Sequence, residues 1–218
     1  MADVSLSFAG ATLCPLPSGA LHWPEQDALL VADLHLEKAS FYATHGQMLP
    51  PYDSHDTLAA LIDAVEATGA RRVFALGDSF HDAAGVARLP ANARAALAVL
   101  TRDLDWCWIT GNHDGRAAAG VGGRVAVEVQ LGGAMLRHEA EPHDRQPEIS
   151  GHFHPKVSVT VRGRRIVRRC FALLGFILTA SADLLQLAGA GTMVFRKPAK
   201  EGIRNPVPPL WRHRVFLF

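Results

Sequence analysis

The chain has 218 residues, 49% of them hydrophobic and 20% charged, which is long and apolar enough to bury a full core as a single domain over 1–218. Three cysteines, Cys14, Cys107 and Cys170, with no C-x-x-C pair, exclude a disulfide framework and a thiolate zinc site; they fit buried thiols in a reducing cytoplasm. MADVSLSFAG lacks a basic stretch followed by an apolar run, and no segment approaches the ~18 apolar residues of a membrane span. A cytoplasmic protein without a membrane partner is expected. The net charge of +1 conceals a division, because residues 1–155 carry 10 Lys+Arg against 19 Asp+Glu while residues 156–218 carry 12 against 2. The basic last third favours a polyanionic partner, the ordinary alternative being a solvated hairpin with outward arginines.

In chain order, ALLVADLH (28–35) reads as a buried strand ending in Asp33 and His35. DSHDTLAALIDAVEATGA reads as a helix: Leu58, Leu61, Ile62 and Val65 follow the i, i+3, i+4, i+7 spacing, Asp53 or Ser54 offers an N-cap and Gly69 a stop. RRVFALGD (71–78) is a second strand ending in Gly77 and Asp78, PANARAALAVLTRD (90–103) a second helix, and WCWITGNHD (106–114) a third strand ending in Gly111, Asn112, His113 and Asp114. This alternation is that of an α/β sheet whose functional residues gather at the carboxyl ends of its strands. After residue 120 the pattern becomes antiparallel. RVAVEVQLGGAMLRHE reads as a hairpin around Gly132 and Gly133, and VSVTVRGRRIVRRCFALL as another turning at Gly163; FILTAS and RVFLF supply further strands. The expected fold class is α/β, an α+β sandwich of two facing mixed sheets flanked by helices. RKPAKEGIRNPVPPLW (196–211), rich in prolines and charge, is expected to be an exposed flexible segment.

Asp33, His35, Asp78, Asn112, His138, His152 and His154 offer only carboxylate, carboxamide and imidazole donors. That set suits Mn, Fe, Zn or Ni in five- or six-coordination, and seven ligands are too many for one ion. Two ions about 3.5–4 Å apart would use them all and clamp a phosphoryl group for in-line attack. The ordered series D-L-H, G-D, G-N-H-D, a lone His and G-H-F-H spans residues 31–155 and resembles the calcineurin-like metallophosphoesterase superfamily. DLHLEKASFYATHGQMLPPYD, GDSFHD, RHEAEPHD, CFALLGF and RVFLF look like one branch of it, the ligase-associated DNA damage response endonuclease (PdeM) family.

The resemblance implies a metallophosphoesterase fold and a phosphodiesterase that cuts single-stranded DNA in repair, functionally linked to a DNA ligase, a helicase and a nuclease. It implies two divalent ions, Mn first, with Fe, Zn, Ni or Co as alternatives. Asp33, His35 and His154 would bind one ion, Asn112, His138 and His152 the other, and Asp78 would bridge them. A hydroxide held between the ions would attack phosphorus, His113 would face the leaving oxygen, and Asp114 would orient its imidazole. His143, five residues after His138, is the alternative ligand at that position.

For the substrate, Arg162, Arg164, Arg165, Arg168 and Arg169 are placed to contact backbone phosphates. Lys38, His81 and Asp82 stand next to the motifs and are candidates to line the phosphate pocket. Phe41, Tyr42, Phe80 and Trp211 are available for base stacking, with core or loop anchoring the more ordinary role. The main competing function is a small-molecule phosphohydrolase acting on a nucleotide, sugar phosphate or UDP-sugar pyrophosphate. No amphipathic insertion for acyl chains lies between Asp114 and His138. GDSFHD and GNHD depart from the G-D-x-V-D-R-G and G-N-H-E of protein phosphatases, and filled ligand positions argue against a metal-free scaffold.

Overall fold

The computed structural model describes residues 5–141, 144–173, 176–179, 194–195 and 214–217. Two sheets face each other. The first runs in the order β1 (Leu6–Phe8), β2 (Ala11–Pro15), β3 (Leu21–Trp23), β4 (Ala28–Val31), β5 (Arg72–Leu76), β6 (Asp105–Ile109), β7 (Arg124–Ala126). Strands β1 to β4 form an antiparallel meander, whereas β4 to β7 are parallel. The helices α1 (Lys38–Thr44), α2 (Asp53–Thr68), α3 (Gly85–Arg88) and α4 (Ala91–Asp103) belong to the crossovers of this parallel half.

The second sheet contains β8 (Glu128–Leu131), β9 (Ala134–Arg137), β10 (Glu148–Ser150), β11 (Lys156–Val161), β12 (Arg164–Leu173), β13 (Phe176–Thr179), β14 (Val194–Phe195) and β15 (Arg214–Phe216). Its order is β14-β11-β12-β15-β10-β9-β8, with β13 pairing β12. It is mixed, because β10 lies parallel to both β9 and β15.

Alternation along the central strands sets the layers. Phe74 and Leu76 of β5 face the second sheet and join Leu30, Ile109, Leu136, Ile149 and Phe171 in the inter-sheet core. Val73 and Ala75 point the other way, onto Leu58 and Leu61 of α2 and Leu97 and Leu100 of α4. The parallel strands, covered on both faces, therefore read as unbroken apolar runs. Each fully buried large side chain contributes about 1.5–3 kcal/mol, which fixes the strand ends relative to one another.

The sandwich and its helix order agree with the sequence reading, and two local features differ. RVAVEVQ does not form one hairpin arm. Its first half, β7, pairs β6 in the first sheet, and its second half, β8, pairs β9 in the second, with Val127 exposed at the crossover. Neither Asp53 nor Ser54 caps α2, which they enter as its first two residues. Their side chains are directed to α1 instead: Asp53 Oδ2 accepts the Ala39 N–H at 2.8 Å, and Ser54 Oγ accepts the Glu37 N–H at 2.8 Å and donates to Glu37 Oε1 at 2.7 Å. The predicted tight turns do form, since Gly132–Gly133 and Arg162–Gly163 all have positive φ, as a two-residue hairpin loop of the primed type requires. The 196–211 segment lies outside the described residues.

Candidate metal centre

Five loops converge at the carboxyl ends of β4, β5, β6, β9 and β10. Asp33 and His35 follow β4, Asp78 follows β5, Asn112, His113 and Asp114 follow β6, His138 follows β9, and His152 and His154 follow β10. The loops after β4 and β5 run side by side: the amide of His35 donates to Asp78 O at 2.9 Å, that of Leu36 to Ser79 O at 2.9 Å, and that of His81 to Leu36 O at 2.9 Å.

Glycines make the convergence possible. A Cβ at Gly77, whose φ is +78°, would stand 2.3 Å from His138 Nδ1. One at Gly111 would stand 2.1 Å from the Asp78 amide nitrogen, and one at Gly151 would meet Asp33 Oδ2 at 3.0 Å. The glycine of each motif therefore admits the ligand of another. The backbone is strained here as well. Asp33, His35, Asp78, His152 and His154 all have φ between +41° and +69°, five of the nine non-glycine residues with positive φ among those described. Each such residue costs of order 1–3 kcal/mol and persists where its surroundings over-determine it.

The donor atoms form two groups. In the first, His35 Nε2 lies 3.3 Å from His154 Nε2, and His154 Nε2 lies 3.8 Å from Asp33 Oδ1. The two imidazoles stack at 5.2 Å and 14°. In the second, His138 Nε2 lies 2.8 Å from Asn112 Oδ1, 3.3 Å from Asp78 Oδ2 and 3.2 Å from His152 Nδ1. His152 Nδ1 is also 3.2 Å from Asn112 Oδ1. A third cluster, His35, His81 and His113, shares His35 with the first.

Tautomers sharpen the picture. His138 Nδ1–H donates to Leu76 O at 2.9 Å, so a neutral ring turns a lone pair at Nε2 toward the oxygens of Asn112 and Asp78. Lone pairs gathered so closely repel unless a cation sits among them. Atoms sharing an ion at about 2.1 Å lie roughly 3.0–3.4 Å apart at right-angle to tetrahedral openings, as most of these pairs do. Divalent metal fits both groups, and these donors do not single out one element.

Electrostatics supports the same view. Burial raises the Asp33 carboxyl to about 7, against the pull of His138. Burial also pushes on Asp78, but hydrogen bonds from His138 and the His113 amide, with the charges of both rings, hold it at about 2. Burial takes His35 down to about 3, with His154 adding to it, and takes His154 to about 4, with Arg169 adding to it. Burial lowers the affinity of His138 for a proton, yet its hydrogen bond to Asp78 leaves it raised. An ionised Asp78 beside His35, His152 and His154, whose rings hold protons weakly, is an environment for a cation, which would displace the protons favoured on Asp33 and His138.

No protein-family model matches the chain, and no curated protein does. Among solved structures, the crystal structure of Pseudomonas putida nuclease MPE is similar, with a TM-score of 0.59 and 28% sequence identity over 78% of this chain and 79% of that one. The fold is metallophosphoesterase-like. Within this metallophosphoesterase-like fold, the candidate ligands stand at the strand ends where its two sheets meet.

The remaining candidates fall into place unevenly. His113 Nδ1–H donates to His81 O at 3.1 Å, and its Nε2 stands 3.9 Å from Asp78 Oδ2, half exposed to the open side. Asp114 does not orient His113. It is 3% exposed and its carboxylate accepts the amides of Phe80 at 3.0 Å and Gly111 at 3.3 Å, so it ties the loops after β5 and β6 together. Asp82 pairs with Arg88, whose Nε donates to Ser40 Oγ at 2.9 Å; it joins α3 to α1 rather than facing a phosphate. His81 stays at the site, its ring 5.4 Å from His35 and 5.7 Å from His113, and the exposed Lys38 adds positive charge beside it.

Of the hairpin arginines, Arg169 is placed to matter most. It lines a cavity of about 300 Å³ with Asp33, Asp56 and Thr57, and its charge reaches His154. Arg162, Arg164, Arg165 and Arg168 are exposed further along the hairpin. His143 and Trp211 lie outside the described residues. The sequence reading overlooked Glu139, whose carboxylate stands 3.8 Å from His152 Nε2, and Arg88; RHE beside the lone histidine was the available signal for the former.

Proposed function

We propose that this protein is a dinuclear-metal phosphodiesterase that cuts single-stranded DNA, with Mn as its working metal. The observation that carries the reading is the pair of donor groups, Asp33/His35/His154 and Asn112/His138/His152, with Asp78 reaching the second and its charge felt by Asp33. The likeness to a nuclease of similar fold supports a phosphodiester substrate, and the basic last third supports a polyanionic one. The place in DNA repair beside a ligase, a helicase and a nuclease rests on the family resemblance of the motifs. Residues 1–218 act as one domain in this reading.

Divalent ions held by these residues supply Lewis acidity, lowering the pKa of water toward neutrality and screening phosphoryl oxygens. The chain supplies the rest. Its amides hold the carboxylates in place: His152 N–H donates to Asp33 Oδ2 at 2.9 Å, and His113 N–H to Asp78 Oδ1 at 2.9 Å. His113, anchored through Nδ1 to His81 O, presents Nε2 to the open side, where a protonated ring gives its proton to the leaving oxygen. Lys38 and Arg169 flank the centre and attract the strand's phosphates.

The test offers metal-stripped protein Mn, Ni, Co, Zn or Mg together with bis-p-nitrophenyl phosphate, p-nitrophenyl phosphate and end-labelled single-stranded DNA. The reading predicts internal cleavage of DNA with Mn and preference for the diester over the monoester. Monoester turnover with intact DNA sinks the DNA assignment in favour of a small-molecule phosphohydrolase.

A further inference from the structure

The side chains beside the site that this chemistry leaves unused are aromatic. Phe41 and Tyr42 follow one another on α1, both half-buried, their rings perpendicular at 5.6 Å. Phe41 stands 4.7 Å from the His81 ring and Tyr42 5.5 Å from it. His81 in turn borders His35 and His113, so one ring separates this pair from the candidate catalytic imidazole.

Core packing does not account for them. Phe80, the neighbour of His81 in the chain, is fully buried among the apolar side chains under α2 and α4, but neither Phe41 nor Tyr42 joins either core cluster. The helix they ride on is held from its other residues. Glu37 at its cap binds Ser54, the Ala39 amide binds Asp53, and Ser40 binds Arg88. After α1 the chain continues through exposed apolar side chains, Met48 at 85% and Tyr52 at 65%. A helix secured by its polar residues thus leaves Phe41, which also packs 4.5 Å from the His45 ring, and Tyr42 only half-buried beside a centre flanked by Lys38.

We propose that Phe41 and Tyr42, together with His81, form a stacking wall for an unpaired nucleobase one sugar away from the scissile phosphate. The inference rests on the DNA reading above and deepens it. Every base has a π-face, so such a wall binds without regard to sequence, and each stacked base strengthens binding about 5- to 150-fold. A base in a duplex is already stacked and paired, so the wall selects against double strands. It gives a single-strand preference a physical cause that phosphate contacts alone do not provide.

The experiment uses the full chain with Mn and an end-labelled oligo-dT strand carrying one tetrahydrofuran abasic residue at its centre. The wall predicts a gap in the cleavage ladder beside the abasic residue, about 5- to 150-fold weaker than neighbouring bands. In Phe41→Leu and Tyr42→Leu, which keep apolar contact with His81 but lose the π-face, the gap fills relative to its neighbours while overall cleavage slows; Phe41→Tyr restores it. An even ladder with the unsubstituted protein overturns the wall. A gap that persists unchanged in both leucine variants, with all bands equally weaker, also overturns it and makes the residues structural. Absence of any DNA cleavage instead contradicts the DNA reading itself.

Discussion

Asp78 is the residue on which the site turns. It is 2% exposed, takes an amide hydrogen bond from His113 and faces His138 Nε2 at 3.3 Å. Asp78→Ala should abolish binding of at least one ion and lower turnover by roughly 10³-fold or more; metal counting by mass spectrometry alongside kinetics checks it, and a variant retaining two ions and full turnover contradicts the bridging role. His113→Ala should keep both ions and lose about 10²- to 10⁴-fold in rate, less for p-nitrophenyl esters whose leaving group needs no proton. Protonation gives a further handle. With Asp33 raised to about 7 and His138 also raised, metal-free protein at pH 6 carries protons that metal must displace. Calorimetric titration with Mn in buffers of different ionisation enthalpy should therefore show more proton release and weaker binding at pH 6 than at pH 8. For the metal-free fold the sign at Asp33 is that of a raised carboxyl: this residue's contribution to stability grows as pH falls from above 7 toward 4. The candidate donors were legible as a set because each sits just past an apolar strand. Sequence order misread Asp114, since adjacency to His113 says nothing about which way a carboxylate turns, and here it turns to the Phe80 and Gly111 amides.

At the scale of elements, the motif glycines and the β11–β12 hairpin are open to test. Gly77→Ala puts a Cβ against the His138 ring at a backbone of positive φ, so it should destabilise the fold by about 1–3 kcal/mol and displace His138. Thermal melts with and without Mn check this, because the variant should lose most of the metal-dependent stabilisation as well as intrinsic stability. In the hairpin, Arg169→Ala should weaken DNA binding and cleavage several-fold, whereas Arg164→Ala, at the far end beside the turn, should change them little; fluorescence anisotropy over a salt series separates the two. Long periodic segments such as α2 and α4 were plain from spacing. The seven-residue α1 was not, because its stability comes from Asp53, Ser54 and Arg88, residues distant in the chain. Nor does alternation in RVAVEVQ reveal that the chain changes sheets at Val127, since both halves keep the same period.

Across the whole molecule, the inter-sheet core of Phe74, Leu76, Ile109, Leu136 and Ile149 lies directly beneath the ligands, so each strand end is fixed before any ion arrives. Two groups of donors on five loops, with strained backbone at five positions, remain unfavourable while their lone pairs face one another. Metal should relieve this and stabilise the whole fold, by about 2.7 kcal/mol at 100 times its dissociation constant, or a melting temperature higher by roughly 5–10 °C for a chain of this size. An anomalous difference map at the Mn edge, from crystals grown with Mn, would locate the ions themselves. The dinuclear account predicts two peaks about 3.5–4 Å apart, one among Asp33, His35 and His154, the other among Asn112, His138 and His152, with Asp78 touching both. A single peak, or a peak held by His35, His81 and His113 with the Asn112 group empty, would contradict it.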